Sequence, residues 1–283
     1  MEVTLPRRLE FSPVRPRINF LQVIRASYVM DLRIRFRYKA NLIGDFIRSG
    51  MFVIVFSLFS TAYQFKTGVS SENATLLFFI SGFLFIIFDG VALWAPLNTV
   101  NRDLYNGTLE YLFGNPFNRV GYFVGIVLAS ATTSSIMLVP IISFLLISGL
   151  ISPVATFFVL ADLILMATVL VAFGTMFALT ALMWKQVSSL AGILGMLFQF
   201  LSGFFFPIDV LPLPVKVIAF LLPYTWAIDI ARYYAFAGDW STILPVSYMW
   251  GILATFGVVY WFLASRMMKS VEKKSKVEGL HLL

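Results

Sequence analysis

The chain has no cysteine and a single histidine, His281, among 283 residues. Without cysteine there is no disulfide, no thiolate metal site and no cysteine nucleophile. His281 lies at the extreme C-terminal end, where a solvated tail position is expected, so no Ser–His dyad can be assembled. Carboxylates are sparse, and no two of the 14 Asp and Glu stand within four residues of each other. That spacing removes the Asp-rich clusters that hold magnesium and diphosphate. No G-x-x-x-x-G-K-[ST] loop occurs, so ATP is not bound through that motif. These absences point away from an enzyme.

Charge is the other shortage. Charged residues make up 12% of the chain, against about 25% in a soluble domain. Hydrophobic residues make up 59%, and mean hydropathy is +0.87. The apolar residues come in runs of roughly 20 or more, long enough to cross ~30 Å of hydrocarbon as helix. The expected fold is all-α, a polytopic membrane protein with six transmembrane helices at about 46–63, 74–96, 121–150, 155–184, 187–206 and 248–267. About 45 mostly polar, basic residues precede the first run, so no cleavable signal peptide is expected.

Residues 1–18, rich in Pro and Arg, read as a cytoplasmic tail, and 269–283 as another, with 46–268 a single transmembrane domain. Residues 19–40 are expected to form an interfacial helix, with Leu21, Ile24, Tyr28, Leu32 and Phe36 along one stripe. Arg25 and Arg35 fall into that stripe. With Arg33 and Arg37 they would snorkel toward membrane lipid headgroups. Residues 207–241 are apolar in part but broken by Pro207, Pro212, Pro214 and Pro223, which suits a re-entrant segment of short helices.

Lysine and arginine give the orientation. Six spans place 18 of them on the face that holds both termini and only 3 on the other. The positive-inside rule then makes both termini cytoplasmic, in the plasma membrane, and the Pro-broken segment external, together with the Asn73-Ala74-Thr75 sequon. The net charge of +7 is therefore a membrane signal, not a nucleic-acid one.

Between the second and third runs lies a polar island, residues 101–116, that begins N-R-D-L-Y-N-G-T-L-E. Thr108 can cap a short helix there, Glu110 suits its first turn, and Pro116 fixes an end. Such a helix is a docking knob for a soluble partner. Three charges fall inside or beside the runs: Arg48, Asp89 and Asp162. Arg48 and Asp89 are expected to neutralise each other, and Asp162 to reach water near the outer end of its span. If these charges instead couple ions, the chain is a secondary transporter driven by an ion gradient.

The order of parts resembles the membrane subunit of type-2 ABC exporters. Gly107-Thr108-Leu109-Glu110, with Leu112 and Pro116, is similar to that family's coupling-helix motif. Ser202 to Pro212, which includes Gly203, Pro207, Asp209 and Pro212, resembles its signature after the fifth span. Pro223-Tyr224-Thr225-Trp226-Ala227, followed by Arg232, resembles the motif that closes the external segment. The lead-in from Asn101 to Asn106 is less densely charged than the family's usual one.

The resemblance implies a permease that dimerises with itself or with a homologue, its first and fifth spans lining a path. Separate ABC ATPase subunits would bind at Arg102, Asp103 and the residues up to Asn115, and along the basic helix. ATP and Mg would be bound by those subunits, leaving this chain with no cofactor and no catalytic or metal-binding residue. Phe198, Phe204 and Phe205 would line the path. Gly203, Pro207, Asp209, Pro212, Pro223, Tyr224 and Arg232 would form the external gate or re-entrant segment.

Overall fold

The computed structural model describes residues 19–62, 73–108, 111–112, 115, 118–183 and 187–278. They form helices joined by short turns, with no strand among the described residues. Helix α1, Phe20–Arg37, begins where the Gln22 side chain accepts the Asn19 N–H at 3.0 Å, and it ends at Tyr38. Helix α2 follows almost at once, Lys39–Ala62. The next run is one long rod in three pieces: α3 (Ala74–Ile86), a π-helical turn (Gly90–Trp94) and α4 (Ala95–Tyr105).

Helix α5, Arg119–Ile147, is capped by Asn118, whose side chain accepts the Gly121 N–H. It closes at Gly149, whose φ of +68° suits the left-handed residue after a helix. Ser152 then caps α6, Pro153–Met183, by accepting the Ala155 N–H at 3.2 Å. Helix α7 is Ser188–Leu201, α8 is Leu213–Phe220, α9 is Pro223–Ala235 and α10 is Val246–Glu278.

Helix α6 is the hub, packed against α4, α5, α9, α10 and the π turn. Gly174 lets it approach the π turn: a Cβ there would lie 2.9 Å from the Val91 carbonyl oxygen. Helix α1 lies against α5 just as closely, since a Cβ on Gly125 would stand 2.6 Å from the Ile24 carbonyl oxygen. Helix α2 meets the bundle mainly through rings. Phe52 packs tilted against Phe83 with centroids 4.6 Å apart, and Phe56 stacks on Phe79 at 5.2 Å. Its remaining apolar surface, Ile47, Met51, Ile54 and Leu58 included, is exposed.

Among the described residues five helical runs are long and apolar enough to cross a membrane: Leu42–Ser60, Ala74–Tyr105, Arg119–Ile147, Pro153–Met183 and Val246–Val271. Within the expected fifth span, 187–206, the helix is shorter than the range. Helix α7 has 14 residues, about 21 Å at 1.5 Å each. It ends because Gly203 takes φ +85° and the chain turns. Helices α8 and α9 meet at 90°. The last helix runs on past 268, through residues 269–278 of the expected tail.

The buried stripe of α1 also differs from the expected one. Val23, Ser27 and Asp31 face the bundle, while Leu21 and Phe36 are exposed. Asp31 can be buried because two arginines meet it, and Ser27 because it sits beside Gly125. Polar partners therefore choose the face, and the hydrophobic count misses it.

Candidate functional site

The polar island is not a free loop at its start. Asn101 to Tyr105 form the last turns of α4, and the helix closes with a left-handed residue, Gly107, at φ +66°. The Asn106 and Gly107 N–H groups return to the carbonyls of Arg102 and Leu104. Thr108, Tyr111 and Leu112 are helical. The Thr108 hydroxyl turns back toward α4. It donates back to the Asp103 carbonyl and carboxylate, at 3.3 and 3.4 Å. Leu109, Glu110 and Pro116 lie outside the described residues.

This end of α4 is fastened on two sides. Tyr122 of α5 donates to Asp103 at 2.6 Å. Arg102 stands 3.8 Å from Asp103 and 3.6 Å from Asp31 of α1. Asp31, 2% exposed, receives Arg35 on its other oxygen at 2.6 Å. One buried carboxylate thus joins two arginines from different helices. Beyond this network the chain presents Tyr105 and Tyr111, 91% and 74% exposed. Arg25, Arg33 and Arg37 of α1 are exposed as well.

The middle of the long rod holds a second polar feature. Asp89 immediately precedes the π turn, an element often found where a helix serves a site. Arg48 does not neutralise it. Arg48 pairs with Asp45 three residues away at 2.8 Å, out on the exposed face of α2. Asp89 instead faces α7, where Gln199 is a polar neighbour and Gly195 leaves room. A Cβ on Gly195 would come within 3.2 Å of Asp89 Oδ2. Asp162, expected to reach water, is fully buried in α6, with neither oxygen hydrogen-bonded.

At the opposite end from the α4 turn, Arg232 of α9 gathers three segments. Its Nη2 donates to the Phe78 carbonyl of α3 at 3.3 Å and to the Phe204 carbonyl at 3.2 Å. The guanidinium lies 3.6 Å over the Phe78 ring. Buried cation–π contact of this kind contributes about 2 kcal/mol. Nearby, the Asp229 carboxylate accepts Trp240 Nε1 at 2.7 Å and the Ile243 N–H at 2.9 Å. Gly203 provides the turn, Pro207 precedes a short 3-10 turn (Ile208–Val210), Pro212 starts α8 and Pro223 starts α9. Asp209 is exposed and lies 3.8 Å from Lys216.

The aromatic trio separates. Phe198 is buried against Tyr224 and Phe173, and Phe204 is buried among Phe56, Phe79 and Phe205. Phe205 is half-buried, while Phe200 and Phe206 are exposed.

A family model described as ABC-2 type transporter matches residues 24–236, which reach from α1 to just past α9. The chain belongs to the ABC-2 transporter family. It is a multi-pass membrane protein and the permease subunit of an ABC transporter, a transport component and not itself catalytic. ABC-2 members work with ABC ATPase partners. No curated protein matches the chain. Membership sets aside the ion-gradient alternative.

Within this ABC-2 permease, sequence reasoning reached Arg102, Asp103, Gly107 and Arg232 but missed their partners. Asp31, Tyr122 and Gln199 complete the polar contacts, and Gly82 admits the Phe204 ring. A Cβ on Gly82 would stand 2.6 Å from Phe204 Cδ2. Asp31 carried a readable signal, a lone carboxylate four residues before an arginine on a basic helix. Tyr122 and Gly82 carried none, because their partners are distant in sequence.

Proposed function

We propose that this permease forms the path of an ATP-driven exporter as a dimer, coupled to separate ATPase subunits at the turn after α4. The observation that carries the reading is the fastening of that turn. Asp31–Arg102 ties it to α1, Asp103–Tyr122 ties it to α5, and it exposes two tyrosines beyond. A braced helix end with aromatic tips transmits rigid-body motion into the bundle. Tyrosine is also a favoured residue at protein interfaces.

The ATPase would bind this turn, from Arg102 through Glu110 to Pro116, and the exposed arginines of α1. ATP and Mg2+ are held on that partner. Both termini face the cytoplasm, and the chain resides in the plasma membrane, with Arg25, Arg33 and Arg37 beside lipid headgroups. Helices α2 and α7 of two permease copies, or of one copy and a homologue, face each other across the path, where α2 leaves its apolar face uncovered. Phe198, Phe204 and Phe205 belong to the α7 side of that path.

The deciding experiment is a mild-detergent pull-down of the tagged protein from native membranes. A near-stoichiometric partner with a phosphate loop is expected, and it should be lost when Gly107 and Glu110 are substituted. Recovery of the permease with no ATPase under gentle conditions would refute the reading.

A further inference from the structure

Asp89 combines three properties that ordinary packing does not require. It is 8% exposed, and its Oδ1 has no hydrogen-bond partner. Among the described residues no cationic side chain pairs with it. Burying a carboxylate at bilayer depth without a counter-charge is costly, and such residues mark ligand or ion routes. The backbone around it is also unusual, because the π turn widens the helix at the next residue.

The surroundings are shaped as a site. Gln199 supplies an amide from α7, and Gly195 on the same helix makes room for the carboxylate. The Tyr224 hydroxyl is fully buried and without a hydrogen-bond partner. Its ring packs tilted against Phe198, with centroids 4.9 Å apart. On the other side, Gly90 is half-exposed, and a Cβ there would meet nothing within 4 Å. Free space therefore adjoins the Asp89 backbone on the outward face of the rod, which also carries Ile86, Ile87 and exposed Trp94.

We propose that Asp89, beside Gln199, binds the ammonium group of a cationic amphiphile at mid-membrane depth. This rests on the reading that α7 lines the path. The orphan oxygen accepts an ammonium N–H, and the ligand brings the positive charge that the protein does not supply. The tail lies along the apolar face of Ile86, Ile87 and Trp94. A neutral alcohol of the same length gains the hydrogen bond but not the charge compensation.

The test uses the full chain in phosphatidylcholine nanodiscs with radiolabelled dodecylamine as the probe. Saturable binding is expected that unlabelled dodecylamine displaces and dodecanol does not. Asp89→Asn, which keeps the side-chain shape, should weaken binding about tenfold or more, as loss of a charge-assisted hydrogen bond implies. Gln199→Ala should weaken it about threefold to tenfold, the range for one neutral hydrogen bond. Monodisperse elution of each variant shows that the fold is kept. Equal binding by wild type and Asp89→Asn overturns the proposal, as does displacement by dodecanol as effective as by dodecylamine. The assay needs no ATPase. Binding intact with no ATPase in the pull-down would sink the exporter reading and spare the site, whereas the reverse would sink the site alone.

Discussion

Asp31 and Arg102, 71 residues apart in the chain, meet at 3.6 Å across two helices. The contact joins the basic helix α1 to the end of α4, and Asp31 is shared with Arg35. Because Arg102 is 34% exposed at its side chain, water screens the pair. A double-mutant cycle with Asp31→Asn and Arg102→Gln should give a coupling energy of about 1 kcal/mol. Asp31→Asn alone should cost more, about 2–3 kcal/mol, since it leaves Arg35 and Arg102 facing each other without the carboxylate. Denaturation in mild detergent measures both. Strict additivity of the two substitutions would show that the contact carries no energy.

Gly107 separates conformation from contact. Its φ is +66°, and a Cβ at that position meets nothing within 4 Å. Substitution therefore costs only backbone strain, about 1–2 kcal/mol for alanine or valine. Asparagine tolerates the left-handed region, so Gly107→Asn should retain ATP-driven transport while Gly107→Val loses most of it, with both proteins still inserted in the membrane. If the asparagine variant fares as badly as valine, the turn matters through something other than its backbone shape.

Gly82 is the opposite case, since its backbone is ordinary and its surroundings are full. A Cβ would lie 2.6 Å from Phe204 Cδ2 and 3.4 Å from Arg232 Nη2. Gly82→Ala should destabilise the protein by about 1–3 kcal/mol by displacing the ring and loosening the Arg232 bond to the Phe204 carbonyl. Gly82→Ala combined with Phe204→Leu should recover part of that loss, because the smaller side chain vacates the clash. Thermal unfolding of the three variants reads it out. A double variant no more stable than Gly82→Ala would place the strain elsewhere.

Much of this architecture was legible in the chain because bilayer crossing imposes a length and an apolarity that composition reveals directly. The helices at 119, 153 and 246 begin where Asn118, Ser152 and Pro245 put them. What escaped was governed by side chains meeting across distance. The face that α1 buries follows Asp31 and its arginines, not the spacing of Leu21 and Phe36. Arg48 and Asp89 looked like natural partners because both sit near the same ends of adjacent runs. Yet Arg48 had a carboxylate three residues away, at a helical spacing that costs no long-range placement. The π turn left no signature in the sequence either, since Gly90 reads as an ordinary small residue within an apolar run.

Arg232 tests how much a planar guanidinium contributes. It donates to two carbonyls from different segments while its guanidinium lies over the Phe78 ring. Lysine keeps the charge but has neither the flat face nor the fork. Arg232→Lys should therefore lose most of the stability that Arg232→Met loses, about 2–4 kcal/mol from charged hydrogen bonds and the ring contact together. Comparison of the two unfolding midpoints decides it. Lysine matching wild type would reduce the role of Arg232 to charge alone.

The absence of cysteine makes the topology directly measurable, since every introduced thiol is the only one in the chain. Tyr111 precedes α5 and Asp209 follows α7, and both side chains are exposed. Between them run α5 and α6, each long enough to cross, and α7, which has 14 residues. If α7 and the residues after it complete a crossing, three crossings separate the two positions and they lie on opposite faces. If α7 does not cross, they lie on the same face. Tyr111→Cys is expected to react with a membrane-impermeant maleimide in inside-out vesicles, and Asp209→Cys in right-side-out vesicles. Labelling of both from the cytoplasmic side would remove the fifth crossing and, with it, the pairing of α2 and α7 across a path. Labelling of Tyr111→Cys only from outside would invert the orientation that the 18 to 3 distribution of lysine and arginine implies.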